Sequence, residues 1–94
     1  MSDAAELEAV IRERLGVLAP SVLELTDESH LHAGHAGSRS GGRHYRLSIV
    51  SEQFVGQRTM ERHRIIYAAL GQLMQQDIHA LSIVARAPGE DVAQ

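Results

Sequence analysis

"RHYRLSIVS", residues 43–51, decides how the chain is read. Tyr45, Leu47 and Ile49 alternate with His44, Arg46 and Ser48. That is the period of a strand with one face in a core and the other toward water. A similar segment precedes it at residues 22–27, with Leu23 and Leu25 on one side and Glu24 and Thr26 on the other. A third follows at residues 78–86, where Leu81, Ile83 and Ala85 share a side. Helical patterns flank these strands. Residues 4–17 carry Leu7, Val10, Ile11 and Leu15 on one face. Asp3 and Glu6 suit a capping box, Gly16 marks the end, and Pro20 blocks continuation. After a Thr59 cap, residues 60–75 place His63, Ile66, Tyr67, Leu70, Leu73 and Met74 in a core stripe. In the connection between, Phe54 is an anchor and Gly56 a turn signal.

The order helix, strand, strand, helix, strand restricts the topology. The first two strands are expected to pair antiparallel. The strand–helix–strand unit is expected to cross over right-handed and leave the second and third strands parallel. The result is a small α+β domain, a three-stranded mixed sheet with helices packed on one face. A single domain over residues 1–94 is expected, with a core of about residues 4–87, a flexible loop at 28–42 and a loose tail at 88–94.

Composition excludes several function classes. The 94 residues include no cysteine, which rules out thiol catalysis and any thiolate metal site built by this chain alone. The formal charge is −3 and the basic residues are all arginine, which argues against sequence-independent nucleic-acid binding but suits bidentate recognition of carboxylate or phosphate. No apolar run approaches the roughly 20 residues that span a bilayer, and the acidic start is unlike a secretory signal. A cytoplasmic protein with no membrane partner is expected. Asp27, Ser29 and His30 are triad residue types too close in sequence for triad geometry, and there is no P-loop, nucleophile elbow, HExxH or dinucleotide fingerprint. The expectation is therefore no enzyme activity.

The remaining chemistry lies in histidine and arginine. "DESHLHAGHAG", residues 27–37, contains His30, His32 and His35. With Asp27 or Glu28 these could hold Zn²⁺ or Cu²⁺, or they could simply decorate a solvated loop. His79 begins the third strand. If that strand is parallel to the second, His79 lies at the sheet edge where the loop ends. It reads either as a ligand or as a buried, hydrogen-bonded histidine. His63 reads as a packed side chain. Arg58, Arg62, Ile65 and Ala69 fall on one flank of the second helix, with Arg64 on another face. That flank suits a partner surface, a DNA groove or plain solvent.

"VLELTDES", the His- and Gly-rich loop, "GRHYRLSIVSEQFVGQ", "MERHRIIYAAL" and "DIHALSIVARAP" together resemble the BolA family, over about residues 7–88. The resemblance implies an αββαβ fold similar to the class II KH fold. It implies a heterodimer with a monothiol glutaredoxin that shares a 2Fe-2S cluster. The ligands would be the glutaredoxin cysteine, a glutathione thiol and histidine from the BolA-like chain, with no cofactor on the isolated chain. The family's histidine near the last strand matches His79, and its loop ligand matches His32, with His30 and His35 flanking it. The role implied is iron-sulfur cluster trafficking or iron sensing. The alternative is a DNA-binding transcriptional regulator of stress response and morphology, using Arg58, Arg62, Arg64 and Ile65 of the second helix.

Overall fold

The alternation at residues 43–50 becomes the central strand of a three-stranded sheet. A computed structural model describes residues 4–28, 43–76 and 78–90. Its elements are α1 (Ala4–Leu15), β1 (Val22–Asp27), β2 (Arg43–Val50), α2 (Thr59–Leu70), a short α3 (Leu73–Gln76) and β3 (Ile78–Arg86). Strand order is β1-β2-β3; β1 pairs antiparallel with β2, and β2 pairs parallel with β3. The expected α+β topology is present.

Tyr45, Leu47 and Ile49 are buried on one face of β2, where they meet Leu7, Ile11 and Leu15 of α1 and Ile66 and Leu70 of α2 in a single core. Each of these apolar side chains stabilises the fold by about 1.5–3 kcal/mol on burial. Leu23 and Leu25 of β1 and Leu81, Ile83 and Ala85 of β3 join from the flanking strands. The other face carries Glu24, Thr26, Arg46 and Ser82, all exposed, so the helices cover one side only. Phe54 is fully buried in a 3-10 turn. The buried Ser51 starts that turn: its hydroxyl accepts from the Gln53 N–H and donates to the Leu18 carbonyl at 2.6 Å.

Several boundaries differ from expectation, each for a local reason. The first helix stops at Leu15, where Gly16 marks its end, two residues short of the expected 17, and tightens into a 3-10 turn over Gly16–Leu18 followed by the left-handed Ala19 (φ 48°). Thr59 lies inside the first turn of α2. The Arg58 N–H at the helix start is satisfied by Glu61 Oε1 at 2.8 Å, and that carboxylate also suits the positive end of the helix dipole. The single helix expected over 60–75 is broken at Gly71 (φ 59°, ψ −131°), whose N–H still bonds the Tyr67 carbonyl at 2.9 Å. Apolar periodicity continues across the break because Leu73 is also buried, which hid the interruption. Tyr67, expected in the core stripe, is 41% exposed.

The break at Gly71 turns the chain back to start β3. Arg14 Nη1 donates to the Leu70 carbonyl at 3.3 Å, and a Cβ on Gly71 would lie 3.4 Å from that nitrogen. Gly71→Ala is expected to cost about 1–3 kcal/mol, because a side chain is strained at this backbone conformation. Urea unfolding of the two proteins checks it; an unchanged midpoint would show that the turn relaxes into another conformation.

Candidate functional site

One end of the sheet gathers the histidines that the structure describes outside the helices. Because β2 and β3 run parallel, both begin at this end, and β1 finishes there, with Asp27 opposite Tyr45. The ladder extends one step further, the Glu28 N–H donating to the His44 carbonyl at 2.7 Å. Between β2 and β3 the register slips: Arg43 faces Ile78 but His44 faces Ala80. His79 is the extra residue of this bulge, and such irregularities re-aim a side chain at a sheet edge. His79 is exposed, so the buried, hydrogen-bonded alternative does not describe it. Its ring lies 4.9 Å from that of His44, centroid to centroid, with the planes tilted by 50°.

Two ion pairs frame the edge. Arg43 Nη1 meets Asp27 Oδ2 at 3.2 Å, and Arg46 Nη2 meets Glu28 Oε2 at 3.1 Å. They tie Asp27, the last residue of β1, and Glu28 after it to Arg43 and Arg46 of β2, beside the edge where His44 and His79 lie. His30, His32 and His35 lie outside the described residues. Among the described residues no three His, Cys, Asp or Glu side chains are grouped as a metal site. Beneath the edge, the buried Tyr45 hydroxyl has no hydrogen-bond partner among the described residues. Burial, followed by the Asp27 and Glu8 carboxylates, pushes its pKa up to about 12, with Arg43 acting in the opposite sense.

The arginines of α2 lie toward the opposite end. Arg62 Nη1 donates to the Ala85 carbonyl at 2.9 Å, and Ala85 is near the end of β3. At the strand rise per residue, that is about 20 Å along β3 from His79. Arg62 also donates to the Gln57 carbonyl from Nε and to both carboxylate oxygens of Glu90, so four of its five N–H groups are bonded within the domain. Ile65 and Ala69 are half-buried against the core. The flank that sequence spacing marked as a partner face thus packs toward β3. Arg58 and Arg64 are exposed, and the outward side of α2 carries Met60, Arg64 and Tyr67. His63 is half-buried, in edge contact with Tyr67 at 6.4 Å, and has no hydrogen bond among the described residues.

Sequence reasoning missed His44. It was assigned to the outward side of its strand but not to the site. The signal was present: His44 and His79 are each the second residue of strands expected to be parallel neighbours.

A family model described as BolA-like protein matches residues 15–90. The chain belongs to the BolA-like family. Mouse BolA-like protein 1 is 41% identical to it over 88 residues, which cover 93% of this chain and 62% of the mouse protein. This BolA-like chain therefore spans less than two thirds of that relative's length. The DNA-binding transcriptional regulator BolA of Escherichia coli K12 is 38% identical over 79 residues, 79% of this chain and 72% of the regulator. In structure, the BolA domain of SufE1 from Arabidopsis thaliana matches with a TM-score of 0.77 and 40% identity, covering 97% of this chain and 100% of that domain.

The tail expected to be loose after Pro88 is anchored as far as Glu90. Arg62, and then the Ala87 N–H at 3.0 Å, hold the Glu90 carboxyl at about 2, down from an ordinary 4.5. The depressed value means that the stabilising contribution is present above pH 4.5 and is lost as pH falls toward 2. Glu90→Gln is expected to lower the melting temperature at neutral pH, and the difference from the parent protein should close across that acid window. Melting curves from pH 7 downward test this; a gap that persists at the acid end would assign it to packing.

Proposed function

We propose that this BolA-like protein is the partner of a monothiol glutaredoxin and co-ligates a 2Fe-2S cluster through histidine, in iron-sulfur cluster trafficking or iron sensing. The observation that carries this reading is the exposed His79 at the edge where the segment bearing His30, His32 and His35 leaves and rejoins the sheet. The donor set fits such a cluster. This chain offers imidazoles and no thiolate, so the sulfur ligands would come from the glutaredoxin cysteine and glutathione. His79 and His32 would hold the cluster on this side. Replacing thiolate by imidazole raises the reduction potential of such a centre. The chain's own part is to present His79 at the start of β3 and to keep Asp27 and Glu28 paired with arginine.

Adding the protein anaerobically to a cluster-loaded monothiol glutaredoxin with glutathione should produce a new visible absorption and circular dichroism spectrum. His79→Ala should abolish it, and His32→Ala should weaken or abolish it. An unchanged spectrum in a mixture that retains its cluster would sink the proposal.

A second reading, DNA binding, is favoured by the E. coli relative's name and by the exposure of Arg58, just before α2, and Arg64 on it. Arginine can read guanine edges or phosphates. Removing both in Arg58→Ala/Arg64→Ala should lower DNA retention in a gel-shift assay and leave the cluster spectrum intact. Equal retention by the parent protein and the variant would remove these arginines from the reading. The net charge of −3 disfavours a purely phosphate-driven contact.

A further inference from the structure

We propose that the outer edge of β3 docks the C-terminal segment of a partner protein as a parallel fourth strand, with its terminal carboxylate held by Arg62 and the Ala87 N–H, and that Glu90 masks this anchor in the free chain. β3 is the last strand of the sheet, so one side of its backbone has no neighbouring strand. The Arg86 carbonyl accepts from the Ser51 N–H and so points inward. Backbone groups alternate along a strand, and those of Leu81, Ile83, Ala85 and Ala87 therefore point outward. Among the described residues nothing bonds the outward groups of Leu81 and Ile83. Ile78–Arg86 contains neither the proline nor the lysine that commonly protects an exposed edge.

The outward groups that are bonded show what the edge accepts. A parallel strand added here would place one residue opposite Arg86. Its N–H would donate to the Ala85 carbonyl, and its carbonyl oxygen would accept from the Ala87 N–H. In the free chain two side chains fill these roles. Arg62 Nη1 donates to the Ala85 carbonyl at 2.9 Å, and Glu90 Oε1 accepts from the Ala87 N–H at 3.0 Å. The same carboxylate accepts from Arg62 Nη1 and Nη2, each at 2.7 Å. A strand whose last residue stood opposite Arg86 would set its own carboxylate on the same three donors. Charge selects that end of the incoming chain, since Arg62, with Arg86 nearby, would repel an N-terminal ammonium. Beside the anchor, Thr59 and His63 of α2 and Ile83, Val84 and Arg86 of β3 line a cavity of about 280 Å³. The penultimate residue, level with Ala85 on the helix side, would fill it with an aliphatic side chain. The Arg62 side chain is only 12% exposed, whereas that of Glu90 is 43% exposed, so unmasking needs no more than rotation of Glu90 into water.

The test is an NMR titration of the isotope-labelled full chain, well below its melting temperature, with acetyl-Thr-Val-Thr-Val-Thr as the free acid and as the C-terminal amide. The free acid should shift the amides of Leu81, Ile83 and Ala87. The amide form should bind about tenfold or more weakly, having lost charge-assisted hydrogen bonds. Glu90→Gln should tighten the free acid by about threefold or more, because a larger share of molecules has the anchor open. Arg62→Gln keeps a donor for the Ala85 carbonyl and should erase the preference for the free acid; if it does not fold, the two peptides still test the anchor on the unaltered protein. Absence of shifts in the parent and Glu90→Gln alike, equal binding of the two peptides, or unchanged affinity in Glu90→Gln would overturn the proposal. So would equal binding of amidated acetyl-Thr-Val-Thr-Val-Glu, which assigns the anchor to a side-chain carboxylate. Concentration-dependent shifts of the same amides without peptide would assign the edge to a second copy and overturn it too. The anchor lies at the opposite end of β3 from His79 and no cluster is present, so failure here leaves the glutaredoxin reading untouched.

Discussion

The parallel pairing of β2 with β3 is the constraint on which the rest of this molecule depends. Parallel neighbours need a crossover, and here α2 and α3 supply it across the face where Tyr45, Leu47 and Ile49 are buried. Burial of that row fixes the register, because a slip by one residue would turn His44, Arg46 and Ser48 into the core. Once the register is fixed, everything at the two strand starts shares one edge. The exposed histidine of β3, the partly shielded histidine of β2, and Glu28 and Arg43 then lie at one edge without any contact among them having to drive folding.

The same pairing separates two chemistries. Imidazoles lie at the strand starts, and arginine lies against the end of β3. Arg62 connects α2, the β3 backbone and Glu90, so in the free chain it holds the crossover against the sheet. What α2 presents outward includes Met60, Arg64 and Tyr67, with one arginine among them. The break at Gly71 serves the opposite end. It stops α2 so that the chain can fold back, and the next strand starts with a bulge that aims His79 at the edge.

Much of the fold was legible because core periodicity is a local property. The strand bounds at 22–27 and 78–86, the antiparallel and parallel pairings, and the anchor at Phe54 all follow from side-chain alternation and chain handedness. The errors fall where local signals compete. Gly71 sits within a continuing apolar pattern, so helix periodicity ran through it. Tyr67 occupies a position that spacing assigns to the core, yet the width of the buried stripe is set by how α2 leans on β3. At the sheet edge, the position of His79 was legible and that of His44 beside it was not, because alternation marks a side chain as outward without saying which neighbour stands next to it.

The sequence alone determined the composition of the chemistry: imidazole and guanidinium, no thiol, on an αββαβ scaffold. Residue type and order settle that, since they need no partner in space. Folding in three dimensions was needed to hold Arg62 with Glu90, 28 residues away, to pair Asp27 and Glu28 with arginines, and to bring His44 against His79. Those facts depend on which surfaces the core brings together. Packing sets them, and no pattern within a single segment records it.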